Sequence, residues 1–129
     1  MMKAIKIIII TVLIGLSSIL FAQNENINLA LKTGNTTELL KYCSSNVELI
    51  FDNKEGVYSK SQATMILKDF FAKNKPSGFS ITHEGGKEGA KYVIGQLKTS
   101  SGDYRVHYFV KKENSKSFVY QLRITQEKF

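Results

Sequence analysis

The side chains that could do chemistry in this 129-residue sequence are few and widely separated. Its two histidines, His83 and His107, lie outside the spacings by which histidines and carboxylates bind a metal. The sole cysteine, Cys43, has no partner for an intramolecular disulfide, and we expect it to be a buried, unreactive thiol on a helix. The sequence therefore predicts no metal site, no cofactor and no catalytic residue.

The N-terminus has the pattern of a cleavable export signal. Lys3 and Lys6 supply positive charge, an apolar run follows, and the small residue Ala22 precedes polar residues. The apolar run is shorter than the ~20 residues that a membrane-spanning helix needs. We predict a signal peptide at residues 1–22 and one exported domain, periplasmic or secreted, at residues 23–129, with no membrane span after cleavage.

The positive charge of the chain is spread along it. The formal net charge is +7, but no basic run in the predicted domain is longer than Lys111 and Lys112. Proteins that bind nucleic acids usually gather their basic residues on one face and place aromatic residues among them. We therefore expect no nucleic-acid partner.

Three segments have the apolar spacing and the end signals of helices. They are residues 25–33, a short segment capped by Asn35, and residues 59–74. In the last of these, Ser59 and Gln62 have the spacing of a capping box, in which each side chain bonds the backbone of the other residue.

The other segments alternate between apolar and polar residues, as strands do. Short turns join the last four, which predicts an antiparallel meander. Helices that precede such strands pack on one face of the sheet, so we predict an α+β fold with a curved antiparallel sheet. The predicted strands lie at residues 47–51, 57–58, 79–84, 90–99, 104–112 and 117–125.

Three segments together, residues 47–52, 56–58 and 61–71, give the chain a resemblance to a known superfamily. It resembles the nuclear transport factor 2-like superfamily, also called cystatin-like, and within it a family of small exported bacterial domains of unknown function. The resemblance implies a cone in which a curved sheet packs against helices.

Enzymes of that superfamily hold an acid or a base inside the cone, opposite a tyrosine or a second acid. The late acids of this sequence fall at predicted strand ends or in turns, so no such pair can be placed. These acids are Glu84, Glu88, Asp103 and Glu113.

The hairpin turns also predict which residues share the face toward the helices. A turn at residues 100–103 places Gly95 opposite Tyr108, and the next hairpin then places Tyr108 beside Tyr120. This aromatic set is either a filled core or the lining of a cavity for a small apolar ligand. Its members are Tyr42, Phe70, Tyr104, Tyr108 and Tyr120.

The same registers predict an apolar row on the opposite face, bordered by basic residues. An exposed row of this kind is typical of a contact surface, so we expect a homodimer or a protein partner there. Arg105 is expected beside Lys98 and Arg123, so an acidic partner could neutralise these charges, or they could extend into water. The predicted interface residues are Tyr92, Ile94, Arg105, His107, Phe109 and Val119.

Two functions follow from these features. The first is a noncatalytic exported module that dimerises or binds a protein partner or a small apolar ligand. The alternative is a small cone-pocket enzyme of isomerase or dehydratase type, which would use a tyrosine with His83 or Asp52.

Overall fold

The computed structural model describes residues 24–127, so the predicted signal peptide lies outside the described part of the chain. The predicted helices and strands are present in the predicted order, and the α+β fold is confirmed. The helices are α1 at residues 24–33, α2 (Thr36–Lys41) and α3 (Lys60–Lys73). The strands are β1 (Cys43–Phe51), β2 (Glu55–Ser59), β3 (Pro76–Lys87), β4 (Ala90–Thr99), β5 (Gly102–Glu113) and β6 (Lys116–Gln126).

Helices α2 and α3 begin directly after the capping residues that the sequence predicts. The Asn35 side chain accepts a hydrogen bond from the backbone N–H of Glu38 at the start of α2. The predicted capping box of α3 is present, because Ser59 and Gln62 each bond the backbone of the other. No helix within residues 24–127 is long and apolar enough to cross a membrane.

The sheet has six strands in the order β2-β1-β6-β5-β4-β3. The last four strands form the predicted antiparallel meander. The prediction of an entirely antiparallel sheet is wrong in one place, because β1 runs parallel to β6. Their apolar residues meet in register, with Leu49 beside Leu122 and Phe51 beside Ile124. This pairing continues the meander into the β1–β2 hairpin.

The turn between β4 and β5 is shorter than predicted. Thr99 pairs with Gly102, so only two residues form the loop, and the register moves by two positions. Gly102 has a φ of +114°, a conformation that glycine adopts without steric cost. Because side chains alternate with a period of two, this shift changes the pairs but leaves every residue on its predicted face.

A β-bulge in the next hairpin reverses the predicted faces of the first residues of β6. Phe109 pairs with Gln121 and Val110 pairs with Val119, which leaves Tyr120 as an extra residue. Val119 is therefore 1% exposed in the core, and Tyr120 is 38% exposed on the other face. The predictions that Tyr120 points toward the helices and Val119 away from them are both wrong.

The helices pack on one side of the sheet, here called the inner face, and the opposite side is the outer face. Residues of α1, such as Ile27 and Leu31, lie in the same core as Leu67 of α3. The sheet contributes alternate residues to this core. They include Val47, Leu49, Val93, Leu97, Val106, Tyr108, Leu122 and Ile124.

Gly95 lies at a point where the inner face has no room for a side chain. The predicted register placed Gly95 opposite Tyr108. In the structure Gly95 pairs with Val106, so the Tyr108 ring does not occupy this space. A Cβ at Gly95 would clash with the Phe79 ring and would lie 2.8 Å from the backbone oxygen of Ser80. A glycine here thus permits β3 and β4 to pack closely.

Replacing Gly95 with alanine is expected to lower the free energy of unfolding by about 1–3 kcal/mol, because the ring and the strand must move apart. Gly78→Ala is the matched control on the neighbouring strand, since a Cβ there meets nothing within 4 Å. Urea unfolding of both variants measures the difference. Equal stabilities would contradict the close approach at Gly95.

Candidate functional site

Tyr108 occupies the middle of the inner face. It has no exposed surface, and its hydroxyl donates a hydrogen bond of 2.9 Å to Oδ1 of Asn28 on α1. Burial, and after it the charge of Glu84, raises the pKa of this phenol above its ordinary value. Glu84 lies in the same cross-strand row, since it pairs with Val93, which pairs with Tyr108. The sequence predicted Glu84 at a strand end. The observed register places it in an inner-face row instead.

Tyr104 lies four residues earlier on the same face. Its ring contacts the Phe70 ring edge-on at 5.1 Å between centroids, and its hydroxyl donates to Oδ1 of Asn74 at 3.1 Å. Burial, and after it the charge of Asp52, raises the pKa of Tyr104. The carboxylate of Asp52 itself accepts the backbone N–H of Gln126 at 2.8 Å. Because Tyr104 pairs with Gln126 across β5 and β6, these two hydrogen bonds lie at the same end of the sheet.

The predicted pocket set is divided between the two faces. Tyr108, Tyr104 and Phe70 meet the helix side as predicted, and Tyr42 packs against the same core, with its hydroxyl 3.5 Å from Oε1 of Glu38. Tyr120 lies on the outer face. The hydroxyls of Tyr108 and Tyr104 both donate to asparagine side chains, so neither is left without an acceptor.

Cys43 begins β1 and not a helix, but it is buried as predicted, with 1% of its surface exposed. Burial raises the pKa of its thiol to about 12. A thiol with this pKa is a poor nucleophile, because almost none of it is ionised near neutral pH. Within residues 24–127, no three side chains of the metal-binding types converge.

The outer face gathers most of the predicted interface residues. Tyr92 pairs with Phe109, Ile94 with His107, and Gln96 with Arg105, on the two central strands β4 and β5. The side chains of these pairs alternate with the buried ones, so they project away from the helices.

Five rings on this face form what we call the aromatic band, which crosses four neighbouring strands. Tyr92 contacts His83 and Phe109 at centroid distances of 5.8 and 6.2 Å. Phe109 also contacts Tyr120 at 6.2 Å and stacks on His107 at 6.4 Å. The band is thus His83, Tyr92, Phe109, His107 and Tyr120.

Basic residues border the band, but the predicted juxtaposition of like charges is wrong. With the two-residue turn, Lys98 pairs with Asp103, and Arg123 pairs with His107. Arg105 has its Nε atom 3.5 Å from Oε1 of Glu127. The observed register therefore removes the direct pairing of Arg105 with Lys98 and with Arg123.

Within the aromatic band, the surroundings of His107 disfavour a charged imidazole. Its Nδ1 atom is buried and has no hydrogen-bond partner in the described part of the chain. Burial, and after it the charges of Arg123 and Arg105, lowers the pKa of this imidazole. These surroundings favour the neutral form of the imidazole.

Sequence reasoning misses two members of the band. It suggests His83 only as a possible catalytic partner, and it places Tyr120 in the interior. The bulge that turns Tyr120 outward has no local sequence signal, since Phe118, Val119 and Tyr120 are all typical strand residues.

Comparison with known proteins gives a family match over most of the chain. The family described as "Domain of unknown function (DUF4783)" matches residues 24–125. A solved DUF4783 protein from Bacteroides ovatus is similar, with 36% identity, a TM-score of 0.77, and coverage of 81% of this chain and 94% of that chain. For one from Bacteroides uniformis, the identity is 34%, the TM-score 0.78, and the coverage 81% and 97%.

A more distant structure identifies the fold. A Nostoc punctiforme domain of unknown function with a cystatin-like fold is 12% identical, with a TM-score of 0.67, and the match covers 88% of this chain and 78% of that chain. This likeness, with that to a structure named Rd1NTF2_05 at 13% identity and a TM-score of 0.62, confirms the nuclear transport factor 2-like fold. No curated protein matches the sequence at a significant level.

The buried thiol of Cys43 is expected to be inert in the native protein. At about pH 8 a thiol with a pKa of about 12 is ionised only to roughly one part in 10⁴. We expect a thiol-reactive dye to label the protein stoichiometrically in guanidinium chloride and at least a hundredfold more slowly without it. Rapid labelling of the folded protein would show that Cys43 is accessible.

Proposed function

This chain belongs to the DUF4783 family, and we propose that it acts as a noncatalytic exported binding module whose contact surface is the outer face of the sheet. The observation that carries the proposal is the aromatic band, which crosses four strands on the side away from the helices. A large apolar patch with a polar rim marks an interaction site on many proteins.

The composition of this face favours a protein as the partner. Protein interfaces are enriched in aromatic residues and arginine, and the residues that contribute most binding energy cluster near the centre of the interface. Here Phe109 lies at the centre, in contact with three other rings of the band. Arg105 and Arg123 border it.

A second copy of the chain is the partner that we propose. Two sheets can pack face to face at a separation of about 10 Å, with the side chains of the two faces interdigitated. A two-fold axis near Phe109 would bring the aromatic bands of two copies together in one symmetric interface. The rim carries both signs of charge, with Glu48 on β1 and Arg123 on the adjacent β6.

The interior gives less support to a cone-pocket enzyme. A catalytic group must contact its substrate, but Tyr108 has no exposed surface and the hydroxyl of Tyr104 is bonded to Asn74. The carboxylate of Asp52 is held by a backbone N–H of β6. His83 belongs to the aromatic band on the outer face, so it lies on the opposite side of the sheet from these tyrosines.

Phe109→Glu is expected to abolish dimerisation, because it places a charge at the centre of the proposed interface. Sedimentation equilibrium is expected to give twice the monomer mass for the wild type and the monomer mass for this variant. Met65→Glu is the matched control, since Met65 is 73% exposed on α3, in the helix layer, and this variant is expected to remain dimeric. A wild type with the monomer mass at every concentration, or a dimeric Phe109→Glu variant, would contradict the proposed dimer.

Export is tested separately. Residues 1–22 fused to alkaline phosphatase, an enzyme that is active only after export, are expected to give active enzyme in a bacterial host. Replacing part of the apolar run of the leader with charged residues is the control and is expected to abolish the activity. Equal activity of the two fusions would contradict the export signal.

A further inference from the structure

We infer that His107 makes the contact surface sensitive to pH, so that the dimer dissociates on acidification. This inference rests on the proposed function, because it concerns the regulation of the same face. It comes from the position of an imidazole among aromatic rings and arginines at the centre of the sheet.

The His107 ring is half-buried, and its Nδ1 side faces the protein. On β4 its cross-strand neighbour is Ile94, and on its own strand it stacks on Phe109, with ring planes 20° apart. Its Nδ1 atom is buried and has no hydrogen-bond partner in the described residues. A buried ring nitrogen without an acceptor has nothing to stabilise an added proton.

The charged groups around His107 also oppose protonation. Arg123 on β6 is its direct cross-strand neighbour, and Arg105 is two residues earlier on β5. On β3, the nearest titratable residue is His83, which pairs with Ile94. No acid on the described strands is a cross-strand partner of His107.

Three acids near the arginines and glutamines of this face are engaged by other groups. Glu127 lies 3.5 Å from Arg105, and both Glu127 and Asp103 accept hydrogen bonds from Gln96 of β4. Glu48 of β1 accepts a hydrogen bond of 3.0 Å from Gln121 of β6. His107 therefore has two arginines as charged neighbours, and its acidic neighbours are held by other groups.

The direction of the pH effect follows from proton linkage. Burial and the two arginines lower the pKa of His107, and contact with a second copy would bury the ring further. The pKa in the dimer is then lower than in the monomer, so protons bind preferentially to the monomer. Association is at full strength above the pKa of the monomer and is lost as the pH falls from that value through the pKa of the dimer.

The experiment measures the dimer dissociation constant at about pH 7.5 and about pH 5, below the ordinary histidine pKa of about 6.5. We compare wild type, His107→Gln and His83→Gln, of which the last removes the other histidine of the same band. For wild type and His83→Gln we expect the constant to rise at least tenfold on acidification, since each of the two copies contributes one His107 that must give up its proton on association. For His107→Gln we expect a change of less than twofold.

The possible outcomes separate the two proposals. A wild type that is monomeric at pH 7.5 would overturn the proposed dimer, and the inference with it. A dimer whose constant is the same at both pH values, or a His107→Gln variant as pH-dependent as wild type, would overturn the inference alone.

A second measurement applies if His107→Gln does not fold. The His107 ring of the wild type is titrated by NMR above and below the dimer dissociation constant. A lower pKa in the dimer supports the inference, and equal pKa values overturn it.

Discussion

The parallel pairing of β1 with β6 is the constraint on which the rest of the structure depends. It is the hydrogen-bonded junction between the N-terminal half, with its helices and the β1–β2 hairpin, and the C-terminal meander. Residues that it brings together, such as Glu48 and Gln121, are 73 positions apart, so it closes a long loop at a cost in chain entropy. Apolar pairs such as Leu49 with Leu122, both about 1% exposed, offset this cost by burial.

The elements that could be predicted from the sequence are those specified by residues close together in the chain. The capping box of α3 and the alternation of β4 and β5 are signals contained within a few residues, and the structure has both elements. The β1–β6 pairing was missed because it depends on which distant strands meet, which no local pattern specifies. Such a pair is chosen by the burial of Leu49 and Leu122 in a common core.

The candidate site shows why faces are easier to predict than registers. The two-residue turn after Thr99 moved every β4–β5 pair by two positions, yet Phe109 and Tyr108 stayed on their predicted faces. The single extra residue of the β5–β6 bulge had the opposite effect, because an odd shift exchanges the faces. Tyr120 thereby joined the aromatic band, and Val119 joined the core.

The two faces of the sheet use aromatic residues under different physical conditions. On the inner face, Tyr108 is fully buried and its hydroxyl is satisfied by Asn28, so the ring contributes packing to the fold. On the outer face, the rings of Phe109 and Tyr120 contact each other but keep part of their surface in water. Nδ1 of His107 has no hydrogen-bond partner within residues 24–127. The fold therefore already buries the Tyr108 ring and pairs its hydroxyl, whereas the aromatic band has apolar surface in contact with water that a partner can bury. That difference is the physical basis of our proposal that the protein binds a partner at the sheet surface.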